Sequence, residues 1–225
     1  MMIPHYFKKR WLLSYLFIFF ISCTNQQNKV TTISFKDSIA LQQKIKINLV
    51  ELQSIKATIQ AGDIITREGN DFTSQSLKKL NRRDETFSHI GIANIENNQL
   101  YIYHAIGGEW NPNQQIKKES FETFTNPIDN NAMGIYRFNI NPIAKQYFIE
   151  KAINFYQQKI IFDLDFDLKT NDKMYCAEYV YKSFVQSKNN ELTFNHSHIK
   201  QFEFIGVDDI TLHPQCKNIL LYVYK

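Results

Sequence analysis

The sequence predicts an α+β fold in which an antiparallel β-sheet or barrel packs against helices. With 44% hydrophobic residues and only 7 glycines, the chain can bury one sizeable core. Two β-branched and aromatic runs, at 86–95 and 100–106, flank a tight turn at 97–98, where Asn-Asn tolerates the positive φ of a hairpin. A helical spacing of apolar residues covers 143–158, directly after Pro142, which favours a helix start.

The remaining elements follow from shorter patterns. Apolar residues recur at helical spacing near the start, and short β-branched or aromatic runs indicate strands. In chain order we expect a helix over 34–60, a strand over 64–67, a short helix over 73–80, a strand over 133–138, a strand or extended loop over 161–168, a helix beginning near Cys176 with Asn171 and Asp172 as capping candidates, and a final strand over 218–224.

The amino terminus is typical of an export signal. Three basic residues at 8–10 precede the apolar run 11–22, which is 12 residues long and therefore too short to span a bilayer. Ser22-Cys23 resembles the end of a bacterial lipobox, so we expect lipidation at Cys23, with ordinary signal cleavage as the alternative. The predicted organisation is 1–22 signal peptide, 23–33 polar tether, 34–60 helical segment and 61–225 main folded domain.

The charge of the chain argues against a nucleic-acid partner. The formal net charge is +4, but without residues 1–22 the chain has 23 basic residues against 22 acidic ones. Phosphate binding requires a clustered basic surface, and a balance this close to neutral does not favour one. We therefore expect no nucleic acid as a partner.

The cysteine and aspartate patterns predict neither a metal site nor a cofactor. No paired Cys/His spacing suits a structural zinc ion. The acidic residues within 161–168 lack the glycine and the distal glutamate of an EF-hand loop. If Cys23 is acylated, Cys176 and Cys216 remain, and a disulfide between them is an alternative to a free thiol at Cys176.

The predicted hairpin brings two histidines together. With the turn at 97–98, Glu96 pairs with Gln99, and this register places His104 opposite Gly91 and diagonal to His89 on one face of the sheet. We expect Gly91 to leave space between the two rings. Cys176 would lie in the first turn of a helix, where unpaired N–H groups lower the pKa of a thiol and can stabilise an oxyanion.

Five segments resemble a known enzyme family: 62–65 (GDII), 88–92 (SHIGI), 103–105 (YHA), 162–166 (FDLDF) and 175–180 (YCAEYV). The chain resembles the permuted papain-like amidases of the YaeF/YiiX group, within the NlpC-like cysteine hydrolase superfamily that also contains the lecithin:retinol acyltransferase relatives. The resemblance covers about 61–185. It implies a circularly permuted papain-like fold with Cys176 as the nucleophile at a helix N-terminus, His89 as the base and His104 as the orienting residue.

Two departures from the family pattern affect this interpretation. Many members of the group have Glu where His104 stands, whereas the acyltransferase relatives have His there. Glu is expected to replace His104 functionally, because a carboxylate can accept the hydrogen bond from the base imidazole and stabilise its cation. Ala177 stands where Ser often follows the cysteine. Tyr175, Asp63 and Glu178 are candidate supporting residues, with a turn role for Asp63 and a helix or core hydrogen bond for Glu178 as the favoured alternatives.

These observations predict a membrane-anchored cysteine hydrolase of the bacterial cell envelope. Its expected substrate is an amide bond in a cell-wall (peptidoglycan) peptide, cleaved through an acyl-enzyme. The first alternative is a lipid-directed acyl hydrolase or acyltransferase, for which an acyl lipid would be the substrate. The second is a catalytically silent lipoprotein that binds envelope ligands.

Overall fold

The structure, a computed structural model, describes residues 35–225. The predicted signal peptide, the tether and Cys23 lie outside the described residues. The helices are α1 (Phe35–Lys56), α2 (Phe72–Leu77), α3 (Phe121–Phe124), α4 (Pro142–Gln157), α5 (Cys176–Val185) and α6 (Val207–Thr211). The strands are β1 (Ile64–Gly69), β2 (His89–Glu96), β3 (Gln99–His104), β4 (Lys117–Ser120), β5 (Asn130–Phe138), β6 (Ser197–Ile199), β7 (Phe202–Phe204) and β8 (Cys216–Val223).

The predicted α+β fold with an antiparallel sheet is confirmed. Six strands form one sheet in the order β4-β3-β2-β1-β5-β8, and every neighbouring pair is antiparallel. Strands β6 and β7 form a separate two-stranded ribbon. No helix within residues 35–225 has both the length and the apolar composition needed to cross a bilayer.

Helices cover the sheet through two hydrophobic clusters. Alternating strand residues point to opposite faces, so Ile64 joins one cluster and Ile65 the other. Helices α4 and α5 pack against β2 and β3, and Phe148 of α4 stacks on Phe184 of α5 with ring centroids 3.8 Å apart. On the other face, α1 contributes Leu52 to the second cluster. The sheet is therefore the central layer.

The predicted hairpin and its register are confirmed. Glu96 pairs with Gln99, and the ladder continues in the same register as far as Ile92 and Tyr103. Asn97 and Asn98 have φ values of 50° and 63°, which is the left-handed region that a two-residue hairpin turn requires. Because this turn determines the register, it also determines which face of the sheet carries the histidines.

Segment 161–168, predicted as a strand or an extended loop, is a loop with isolated bridges at Ile161. Two local predictions need correction. The predicted helix 73–80 ends as a 3₁₀ turn. Neither Asn171 nor Asp172 caps α5. The N-cap is Tyr175, whose backbone N–H donates to the Glu178 carboxylate at 3.2 Å, so the cap comes from inside the helix.

Candidate active site

The candidate nucleophile is the first residue of α5. The backbone N–H groups of Ala177, Ile90 and Cys176 itself act to lower the pKa of the Cys176 thiol. These donors favour the thiolate, as the sequence predicted, but burial has the larger effect and raises the pKa of Cys176 to about 11. The prediction of a lowered pKa is therefore wrong, and the thiol is protonated at neutral pH.

The two hairpin histidines contact each other directly. His89 Nε2 and His104 Nδ1 are 2.8 Å apart, and the rings meet edge to face with centroids 5.0 Å apart. The expected open space at Gly91 is filled: a Cβ there would lie 2.6 Å from a methyl group of Ile102 and 3.1 Å from the His104 Cβ. Glycine thus allows β3 to approach β2 closely enough for the ring contact.

A carboxylate that the sequence analysis did not identify extends the histidine pair to a row of three side chains, Glu119, His104 and His89. Glu119 of β4 places Oε2 3.1 Å from His104 Nε2, and hydrogen bonding to this imidazole lowers the pKa of Glu119 to about 2. The carboxylate is therefore ionised, and its negative charge favours the His104 tautomer that carries the proton on Nε2. His104 Nδ1 then accepts from the N–H at His89 Nε2, which leaves the lone pair of a neutral His89 on Nδ1.

Burial keeps both imidazoles neutral. It lowers the pKa of His89 well below its ordinary value, and the positive charge of Arg67 lowers it further. Burial also lowers the pKa of His104, against the opposing effect of Glu119. Both rings pack around Phe124 of α3, which is fully buried, with ring centroids 5.6 Å and 5.0 Å away. This packing holds the row in a water-poor environment.

Cys176 and His89 line the same cleft, which has a volume of about 720 Å³. His104 lies behind His89 and is fully buried, as an orienting residue would be. No hydrogen bond joins the Cys176 thiol to either imidazole within the described part of the chain. Catalytic hydrogen bonds are often loose before substrate binds and tighten in the complex.

Tyr175 and Glu178 have structural roles near the cleft. The Tyr175 hydroxyl accepts a hydrogen bond from the backbone N–H of Ile205 at 2.8 Å, and so ties the start of α5 to the opposite wall. Glu178 is fully buried, accepts the Tyr175 N–H and lies 2.8 Å from the Lys182 ammonium. These contacts orient the first turn of α5, and thus Cys176.

Asp63 lies outside the cleft, where it forms a partly buried ion pair with Arg137. Its carboxylate accepts two hydrogen bonds from Arg137, at 2.6 Å and 2.7 Å, and a third from the Gln60 N–H at 2.8 Å. Asp63 is fully buried. The favoured turn role for this residue therefore agrees with its position at the start of β1.

Asp63→Ala is expected to destabilise the fold by about 2–3 kcal/mol, because it removes the charge-assisted hydrogen bonds from the partly exposed Arg137. Urea unfolding measures this change in free energy. The matched control is Glu122→Ala, which removes an exposed ion pair with Lys56 and is expected to cost about 1 kcal/mol or less. Equal effects of the two substitutions would contradict a structural role for Asp63.

Glu119 and Arg67 escaped the sequence analysis for the same reason. Both reach the site through strand pairing that no local pattern indicates: Glu119 pairs with Ile102, and Arg67 pairs with His89. The sequence of β4, KKES, contains no β-branched or aromatic residue and so gave no strand signal. For Arg67, its place on the predicted first strand was the only available signal.

The two described cysteines are free, so the disulfide alternative does not apply to this structure. Cys216, the first residue of β8, is half-buried, and burial raises its pKa to about 12. It lies outside the group of residues that line the cleft. A free Cys176 is what a thiol nucleophile requires.

Comparison with known proteins finds similarity at the level of the fold. The crystal structure of the metalloprotein YiiX from Escherichia coli O157:H7 matches this chain with a TM-score of 0.58 at 16% sequence identity. The match covers 73% of this chain and 98% of that chain. No family model and no curated protein matches the sequence. The similarity confirms the YiiX-like fold that the sequence resemblance implied.

The solved relative is called a metalloprotein, which raises the question of a metal site in residues 35–225 of this chain. Residues 35–225 contain no group of three or more His, Cys, Asp or Glu side chains that could hold a metal ion. The nitrogens of His89 and His104 face each other at hydrogen-bond distance, so neither lone pair is directed at a shared ion. The residues present do not fit a metal, and no step below involves one.

Proposed function

We propose that this protein is a cysteine hydrolase that cleaves an amide bond through an acyl-enzyme on Cys176. The observation that carries the proposal is the continuous contact from Glu119 through His104 to His89, which ends in the cleft that also contains Cys176. In this row Glu119 sets the tautomer of His104, and His104 sets the tautomer of His89. A general base needs such a partner to orient it and to stabilise its protonated form. In this assignment His89 is the base and His104 the orienting residue.

The reaction begins from neutral partners. As the Cys176 sulfur attacks the scissile carbonyl carbon, its proton passes to His89 Nδ1, and the resulting imidazolium is stabilised through His104 by the Glu119 carboxylate. The N–H groups beside Cys176 stabilise the oxyanion. His89 then protonates the departing amine, and the C–N bond breaks. Water, deprotonated by His89, hydrolyses the thioester and restores the thiol.

The proposed location is the bacterial cell envelope, with the protein anchored to the membrane by lipid at Cys23. This rests on the amino-terminal sequence alone: a basic segment, a 12-residue apolar run and Ser22-Cys23. At that location a peptide of the cell wall is the natural amide substrate.

A lipid-directed acyl hydrolase or acyltransferase is the second candidate function. It is favoured by the walls of the cleft, which contain Leu80, Phe162, Phe166 and Phe204. Aromatic and aliphatic walls of this kind suit an acyl chain. The same Cys176 acyl-enzyme would serve both functions, and only the group bound in the cleft would differ.

The decisive experiment compares two substrate classes with the full-length protein in detergent. We expect mass spectrometry to detect new amines and carboxylates in cell-wall digests, and no release from N-acyl lipids. Release from the lipids alone would favour the second candidate. A protein that processes neither class and does not react with a thiol-directed activity probe at Cys176 would instead be a silent binding lipoprotein.

The pH dependence provides a separate prediction. Because His89 must be neutral to accept a proton and its pKa lies well below the ordinary 6.5, kcat/KM is expected to stay level from neutral pH down through 6.5 and to fall only at lower pH. His196→Ala, which changes a histidine outside the cleft, is the control and should leave the profile unchanged. A profile that is half-maximal at pH 6.5 or above would contradict a buried neutral base.

A further inference from the structure

Arg67 of β1 is a cation in the cleft that the proposed reaction does not use. It pairs with His89 across the sheet and lines the cleft beside Cys176. Its Nη1 donates a hydrogen bond to the Phe124 carbonyl oxygen at 3.0 Å, and its guanidinium carbon lies 4.7 Å from the centre of the Phe124 ring. The guanidinium is therefore held in a defined position against a rigid surface.

The guanidinium has no carboxylate partner. Within the described residues Arg67 forms no ion pair, and the acidic groups that influence it, including Asp71 and Glu119, act without a hydrogen bond. Burial lowers the pKa of Arg67, which shows that the charge is poorly solvated. Nη1 is the Arg67 nitrogen with a hydrogen-bond partner among the described residues. Nε and Nη2 have none, and neither is fully buried, so both are accessible. A desolvated cation with free donors is stabilised when an anion arrives.

The other charges lining the cleft do not satisfy Arg67. The Asp71 carboxylate accepts the N–H and the hydroxyl of Ser74 at the start of α2, and Asp71 is itself exposed. Glu109 lies in an exposed loop. Lys117 lies 3.4 Å from Glu119, so it partly balances that carboxylate. Among the charged residues that line the cleft, Arg67 is thus the positive charge left for a ligand.

From this arrangement we infer that Arg67 forms an anion subsite that binds a carboxylate of the substrate close to the scissile carbonyl. That the bound carboxylate belongs to a substrate rests on the proposed function. That the site binds an anion rests on Arg67 alone. Arg67 is the cross-strand neighbour of His89 and lines the same cleft as Cys176, so a carboxylate bound to it lies near the reacting carbon. The preferred substrates are therefore amides that carry a free carboxylate close to the scissile bond and an apolar extension along the cleft walls.

Alkylation of Cys176 tests the subsite without any turnover. Iodoacetate and iodoacetamide react alike: the sulfur bonds to the methylene carbon, iodide leaves, and the thiol proton is lost. They differ in carrying a carboxylate or a neutral amide. The ratio of the two rates therefore measures attraction of the carboxylate and cancels changes in thiol reactivity. In the full-length protein, Cys176 and Cys216 lie in different tryptic peptides, 174–182 and 201–217. The iodoacetate-to-iodoacetamide rate ratio at Cys216 serves as the internal reference.

Arg67→Met is expected to lower the iodoacetate-to-iodoacetamide ratio at Cys176 by about tenfold, the size of one charge-assisted hydrogen bond. Arg67→Lys keeps the charge but loses the planar fork, so its ratio should lie between those of wild type and Arg67→Met. The matched control is Lys79→Met, which removes an exposed positive charge outside the cleft and should leave the ratio unchanged. Equal ratios for wild type and Arg67→Met would overturn the inference.

A measurement on the wild-type protein covers the case in which Arg67→Met does not fold. Succinate should slow the reaction of iodoacetamide with Cys176 and not with Cys216, and the absence of this protection would refute the subsite. The proposed function fails separately. An Arg67-dependent ratio in a protein that hydrolyses no amide would leave the anion subsite standing, whereas amide hydrolysis with an Arg67-independent ratio would remove the subsite and keep the hydrolase.

Discussion

Cys176→Ala is expected to reduce amide hydrolysis by roughly 10⁴- to 10⁶-fold, because it removes the atom that forms the acyl-enzyme. The fold should survive, since Ala suits the first turn of α5 and Cys176 is bonded to no other cysteine. Steady-state rates on the preferred substrate measure the loss. Circular dichroism and thermal unfolding confirm that the variant is folded.

Cys216→Ala is the matched control, because Cys216 lies at the start of β8, away from the cleft. It should retain nearly wild-type turnover. Full activity of Cys176→Ala, or loss of activity in Cys216→Ala with the fold intact, would place the nucleophile elsewhere. Trapping of a thioester on peptide 174–182 would support Cys176 directly.

The second large effect concerns His104. His104→Ala is expected to lower kcat by about 10- to 1,000-fold with little change in KM, because His89 loses the partner that sets its tautomer and stabilises its cation. His104 does not line the cleft, so substrate binding should be spared. Wild-type kcat in this variant would show that another group orients His89.

The contact with Glu119 reverses the expectation that Glu can replace His104. A carboxylate at position 104 would face the Glu119 carboxylate in a buried site, where two like charges repel strongly. His104→Glu should therefore be no more active than His104→Ala. Adding Glu119→Gln removes the repulsion, and the double variant is expected to regain about tenfold in kcat over His104→Glu alone.

Glu119→Gln alone tests the same contact from the other side. In the wild-type background it should lower kcat, because an amide stabilises the histidine cation less than a carboxylate does. Glu122→Gln, a neutralisation in α3 away from the row, is the control and should leave kcat unchanged. If the double variant is no faster than His104→Glu, the two side chains do not interact as the structure indicates.

Local patterns predicted most of the fold. The turn at 97–98 determined the register of β2 and β3, and Pro142 marked the start of α4. Strand β4 was missed because its four residues gain their strand conformation from pairing with β3 rather than from intrinsic propensity. The cap of α5 was misplaced because the sequence offers Asn171 and Asp172, whereas the folded chain uses Glu178.

The candidate site was predictable only where its residues belong to one hairpin or one helix start. The contact of His89 with His104 followed from register, and the position of Cys176 followed from the helix that it begins. Arg67 and Glu119 join through long-range pairing, which a single sequence does not show. The direction of the Cys176 pKa depended on burial, and burial is a property of the assembled fold.

The strand order of the sheet has a consequence for folding kinetics. Strand β5 pairs with β1, about 70 residues earlier, and with β8, about 85 residues later, so the centre of the sheet consists of pairings distant in sequence. High contact order of this kind predicts slow folding, in milliseconds to seconds. Until β8 is in place, β5 presents an open strand edge that can pair with another chain. Helix α5 with Cys176 precedes β8 along the chain, so a truncation before Cys216 leaves this edge of β5 open and is expected to aggregate.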